Sequence, residues 1–128
     1  MKRVLIIEDN EDIRTFMQVA LEGAGFAVTL APDGAEGLNR QREAPADIVI
    51  TDIFMPDKDG IETIFELRQE FPQVKIIAVS GGGDFPKKMD YLSTAIQFGA
   101  VKSLSKPFDR QELLDAVNQV LAQPAPNI

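Results

Sequence analysis

Five short apolar runs, each followed by a longer stretch with helical spacing, leave this chain few ways to fold. The first run, "VLII" at positions 4–7, is apolar without a break, as in a strand buried on both faces. Behind it, Asn10 or Asp9 is placed to cap a helix carrying Ile13, Phe16, Met17, Ala20 and Leu21 on one face, and Gly23 and Gly25 end it. The same rhythm predicts a strand over Phe26–Ala31, a helix from Asp33 to about Ala44 and a strand over Asp47–Thr51. A loop with Pro56 and Gly60 leads to a helix from about Ile61 that carries Ile64, Phe65 and Leu67. Lys75–Val79 reads as the fourth strand, Pro86 to Phe98 as a fourth helix and Ala100–Leu104 as a short fifth strand. Asp109 and Glu112 form a capping-box pair ahead of the last helix, whose inner face is Leu113, Leu114, Val117, Val120 and Leu121. Strict alternation of strand and helix implies an α/β fold, a parallel sheet with helices on both faces.

Composition removes several function classes. The chain of 128 residues is expected to form one domain over 1–123 with a short tail at 124–128. It has no apolar run long enough to span a membrane and no secretory cleavage pattern. The absence of Cys fits a reducing compartment, so a cytoplasmic location is expected. With neither Cys nor His, borderline and soft metal ligands are missing, as is the usual general base near neutral pH. A net charge of −7 suits the surface poorly to nucleic acid, and no direct contact with it is expected.

The polar residues that follow the strands carry the chemistry. Glu8 and Asp9 follow the first strand, Asp52 ends the third, Ser80 follows the fourth and Lys106 follows the fifth. In a parallel sheet these points share one rim, where ligands of such folds bind. With strand order 2-1-3-4-5 the first and third strands are neighbours, and Glu8, Asp9 and Asp52 converge. Three close carboxylates repel, so either one of them takes up a proton or a cation binds. With oxygen ligands alone, Mg²⁺ is the best-suited cation. Taken singly, each group has an ordinary reading. Acids at a helix N-terminus are stabilised by about 0.3–1 kcal/mol through the helix dipole, and a single Lys or Ser is commonly a solvated surface group.

Four segments, "VLIIEDNEDIR", "DIVITDIFMPDKDGIE", "IIAVSG" and "GAVKSLSKPFDRQEL", together resemble the receiver domain of bacterial response regulators. The resemblance spans nearly the whole chain. It implies a flavodoxin-like, doubly wound five-stranded sheet of order 2-1-3-4-5 with five helices. It also implies that a histidine kinase or a histidine phosphotransfer protein donates a phosphoryl group to one aspartate. On that resemblance Asp52 is the phosphoacceptor. Asp9 ligates Mg²⁺ directly, Glu8 does so through water, and the backbone carbonyl of Phe54 is a further ligand. Ser80 and Lys106 contact the phosphoryl group. Such a chain is a phosphoacceptor signalling domain rather than an enzyme with a separate substrate. No second domain fits after Gln123, so a stand-alone receiver with an unidentified downstream protein partner, or onward relay of phosphoryl, is expected.

The chain departs from the family at two places. Ser103 stands three positions before Lys106, where many receivers carry Tyr or Phe, and "GGGDFPKKMD" lengthens the segment after Ser80. Phosphorylation is therefore expected to act through residues 81–92 more than through Ser103. Two other classes share parts of the pattern. A flavodoxin would need a phosphate-binding loop where "EDNED" stands, and a dehalogenase-type phosphatase would need Asp where Phe54 stands.

Overall fold

The computed structural model describes residues 2–53, 60–80, 95–96 and 99–124. Its strands are β1 (Arg3–Ile7), β2 (Ala27–Ala31), β3 (Ile48–Asp52), β4 (Lys75–Ser80) and β5 (Lys102–Ser105). Its helices are α1 (Glu11–Gly23), α2 (Gly34–Glu43), α3 (Gly60–Glu70) and α4 (Arg110–Ala122). The strands pair in parallel in the order β2-β1-β3-β4-β5, as the family resemblance implies. Four of the five expected helices fall among the described residues. Of the one expected over 86–98, Ala95 and Ile96 are described and are helical.

Side-chain alternation along the strands divides the core in two. Val4, Ile6, Ile48, Ile50, Ile77 and Val79 pack with Met17 and Leu21 of α1 and with Leu113, Val117 and Val120 of α4. Leu5, Ile7, Val49, Ile76 and Ala78 pack with Leu38 of α2 and with Ile64 and Leu67 of α3. Central strands covered on both faces must be apolar at every position, which is why their runs do not alternate. β2 lies at the edge and is only half-buried.

Capping sets where the helices start. Asn10 caps α1, its side chain accepting the Ile13 N–H at 3.0 Å, and Asp9 is thereby left for the rim. Asp33 caps α2 in the same way. Asp109 and Glu112 form the full reciprocal box on α4. Some strand boundaries differ from the sequence reading. Asp47 precedes β3 and its carboxylate accepts the Arg3 N–H at 2.9 Å, whereas Asp52 and Ser80 are themselves the last residues of β3 and β4. β5 starts at Lys102 because Ala100 N–H is used by the preceding turn, bonding Ala95 O.

Arg68 closes the side of the sheet beneath β5. Its guanidinium donates to the carbonyls of Pro72, Val74 and Gly99 at 2.7–2.8 Å. Gly99 has φ +133°, and an added Cβ there would meet Arg68 Nε at 3.0 Å. Among the described residues, no helix is long and apolar enough to cross a membrane.

Candidate functional site

β1 and β3 run side by side with Ile7 opposite Thr51, so the residues that follow meet above the sheet. Glu8 and Asp52 continue the alternation of Ile6 and Ile50 and lie on the α1/α4 face. Both are buried, at 0% and 4% exposure, while Asp9 is exposed at the rim. One carboxylate oxygen from each of Glu8, Asp9 and Asp52 lies within 4.8 Å of the other two.

Lys106 enters this cluster from the end of β5. Its N–H bonds Ser80 O at 2.9 Å, and the peptide bond to Pro107 is cis. Its ammonium donates to Asp52 Oδ2 at 2.7 Å and stands 2.9 Å from Glu8 Oε1. Glu8 Oε1 has this ammonium beside it and, among the described residues, no further donor. Glu8 Oε2 accepts the Asn10 N–H at 3.2 Å.

Burial pushes the Glu8 carboxyl up to about 7 from its ordinary 4.5, and the Asp52 charge adds to the rise. The Lys106 ammonium and the Asn10 N–H pull it back only in part. Burial works against the Lys106 charge as well. The hydrogen bonds and charges of Asp52 and Glu8 outweigh it and hold this lysine above its ordinary value. One ammonium is thus shared by two buried acids, with a third acid alongside.

The donor set fits a hard divalent cation. It is all oxygen and carries surplus negative charge, three carboxylates against one ammonium. Glu8, Asp9 and Asp52 are the residues that could hold such an ion.

Of the residues singled out in the sequence, the structure thus brings together Glu8, Asp9, Asp52 and Lys106. Ser80 is fully buried at the end of β4, opposite Ser105, with its carbonyl tied to Lys106. Ser103 is half-buried on β5, opposite Ala78. Phe54 and the segment 81–92 lie outside the described residues.

Two contributors escaped the sequence reading. Gly60 N–H bonds Ile53 O at 3.2 Å, and an added Cβ would collide with Asp52 O and Ile53 Cα. Its only signal was a glycine at a helix start. Arg14 on α1 donates from Nη1 to Glu8 O at 2.8 Å, and its spacing from Glu8 gave no sign of this.

A family model for the response regulator receiver domain matches residues 4–118, and the chain belongs to that family. It is therefore the receiver domain of a two-component response regulator, a class of signalling phosphoacceptor domains. The chain is 37% identical over 121 residues to the response regulator receiver protein CpdR of Brucella abortus (strain 2308), a match covering 94% of this chain and 98% of CpdR. It is 32% identical over 120 residues to the uncharacterized transcriptional regulatory protein YkoG of Bacillus subtilis (strain 168), covering 94% of this chain but 51% of YkoG. The solved structure of the chemotaxis protein CheY4 of Vibrio cholerae matches with a TM-score of 0.84 and 30% identity, over 94% of this chain and 98% of the other.

Proposed function

We propose that Asp52 accepts a phosphoryl group from the phosphohistidine of a histidine kinase or a histidine phosphotransfer protein. The observation that carries this reading is the buried Asp52 carboxylate, which ends a central strand among two further acids and the Lys106 ammonium. An Asp52 oxygen attacks phosphorus, the P–N bond breaks, and the imidazole leaves with its electron pair. A carboxylate is a weak nucleophile, so positioning and charge neutralisation must supply the rate. Lys106 is already at hydrogen-bond distance from Asp52 and pairs with the incoming phosphoryl oxygens. Mg²⁺ is the proposed cofactor, held by Glu8, Asp9, Asp52 and the Phe54 carbonyl, and when bound it neutralises phosphoryl charge. Ser80 is proposed to hydrogen-bond the phosphoryl group.

The donor protein needs a surface beside this rim. Asp12, Ile13, Phe16, Lys106, Pro107 and Phe108 line an apolar cleft of about 470 Å³. Phe16 is 41% exposed and packs at a tilt on Phe108, ring centroids 6.2 Å apart. Output is proposed to pass to a protein partner or by onward relay. The domain catalyses only its own phosphorylation and dephosphorylation, at a cytoplasmic location.

Intact mass after incubation with acetyl phosphate tests the reading. One phosphoryl group should appear with Mg²⁺, fail to appear with a chelator, and decay on standing. No gain with Mg²⁺ would contradict it.

A further inference from the structure

Glu8 and Asp9 are adjacent in sequence, yet one carboxylate is buried and the other exposed, and both face Asp52. Successive residues of an extended strand point to opposite faces, so the backbone must turn between them. The turn is tied down on both sides of Glu8. Its N–H bonds Ala31 O at 3.0 Å, which extends the β1–β2 ladder by one residue. Its carbonyl then accepts from Arg14 Nη1 at 2.8 Å. Arg14 is itself anchored, because its own N–H bonds Asn10 O at 2.9 Å in the first turn of α1.

A peptide unit is planar and carries the Cα atoms of both residues it joins. Fixing the Glu8 carbonyl therefore fixes the plane from which both the Glu8 and Asp9 side chains depart. Among the described residues, the Arg14 guanidinium is paired with this carbonyl and with no carboxylate. A cation this close to an acid cluster would ordinarily be expected to pair with the acids. This one instead grips the chain that carries them.

We infer that Arg14 is a positioning residue for the metal-binding acids: by holding the Glu8 carbonyl, it directs the Glu8 and Asp9 carboxylates together toward Asp52. The inference rests on the reading of Glu8, Asp9 and Asp52 as a Mg²⁺ site. The sign of the effect separates it from simple electrostatics. Removing a nearby cation by itself strengthens binding of another cation, whereas losing the grip on the Glu8 carbonyl weakens it.

The test is a calorimetric Mg²⁺ titration of the wild type, Arg14→Met and Arg14→Lys, with Arg40→Ala as control. Arg40 is an exposed arginine on α2 paired with Glu36 and Glu43. Methionine keeps an unbranched stem and helix propensity but has no donor, whereas lysine keeps one cationic donor. Arg14→Met should bind Mg²⁺ about tenfold more weakly, about 1.4 kcal/mol, with the Glu8 carbonyl carbon resonance moved upfield. Arg14→Lys should recover most of both, and Arg40→Ala should bind as the wild type does or slightly tighter. Should Arg14→Met lose its dispersed amide spectrum, Arg14→Gln, whose shorter neutral side chain does not span to Glu8, carries the same expectation. Equal or tighter Mg²⁺ binding by the donor-less variant overturns the inference, as does equal weakening in Arg14→Lys. If the wild type binds no Mg²⁺, the site reading fails and this inference with it. Wild-type binding with an unaffected Arg14→Met defeats the inference alone.

Discussion

Lys106 and Asp52 lie 54 positions apart in the chain and meet through a 2.7 Å hydrogen bond between ammonium and carboxylate at the end of the sheet. Both are largely shielded from water, with side-chain exposures of 14% and 4%. An ion pair in such a place gains little over an apolar pair, but removal of one partner leaves the other charge buried.

Replacing Lys106 by Met should therefore expose the acid–acid repulsion that the ammonium now masks. Unfolding in urea without Mg²⁺ should show a loss of about 2–4 kcal/mol at pH 7.5. The loss should shrink at pH 5, where Glu8 can hold its proton. Equal destabilisation at the two pH values would show that Lys106 acts through packing alone.

Glu8 should give the protein's stability an unusual pH dependence. Its carboxyl is raised from 4.5 to about 7, so between those values the folded state keeps a proton that the unfolded chain has released. Stability without metal should therefore fall as pH rises from about 4.5 to 7, by about 1–3 kcal/mol. Mg²⁺, which binds the ionised form, should restore it in proportion to ligand concentration. In Asp52→Asn the repulsion from Asp52 is gone, so the fall should be smaller. A metal-free stability that rises through this window would contradict the assignment.

Gly60 lets the start of α3 lie directly on the Asp52–Ile53 backbone. Gly60→Ala puts a methyl group into Asp52 O and Ile53 Cα, and neither atom can move without shifting the end of β3. A loss of about 1–3 kcal/mol is expected, together with slower phosphorylation. A variant of wild-type stability and rate would mean that the close approach has no consequence.

Arg68 supplies the opposite kind of control. It bonds three backbone carbonyls far from the acids. Arg68→Ala should cost about 1–2 kcal/mol in chemical unfolding, because two partly buried carbonyls, of Val74 and Gly99, lose their donor. Mg²⁺ affinity should stay within about twofold of the wild type, since no acid of the site touches Arg68; a larger change would show that the two regions are linked.

Much of this was legible in the sequence because burial on both sheet faces forces apolar runs, and helix caps demand particular residues. Val4–Ile7 and the Asp109–Glu112 box were readable for these reasons. The convergence of Glu8, Asp9 and Asp52 followed from strand order alone, since adjacent parallel strands bring their ends together. What could not be read came from contacts made by backbone atoms. The grip of Arg14 on the Glu8 carbonyl and the approach of Gly60 to Asp52 depend on main-chain positions, and no side-chain pattern records them. The strand-like runs stop at Thr51 and Val79, one residue before the ends of β3 and β4, because Asp52 and Ser80 are polar. Both remain in the ladder because their backbone groups still pair, Asp52 opposite Val79 and Ser80 opposite Ser105.

The central claim is that Asp52 receives the phosphoryl group, and one comparison tests it most directly. Wild type and Asp52→Asn are incubated side by side with Mg²⁺ and acetyl phosphate, and intact mass is followed over time. The substituted asparagine keeps the shape of the side chain but is not a nucleophile, and the fold should survive because the change removes one of two crowded buried acids. The wild type should gain one phosphoryl group and the variant none. Phosphoryl gain by Asp52→Asn at the wild-type rate would place the acceptor elsewhere and contradict the account.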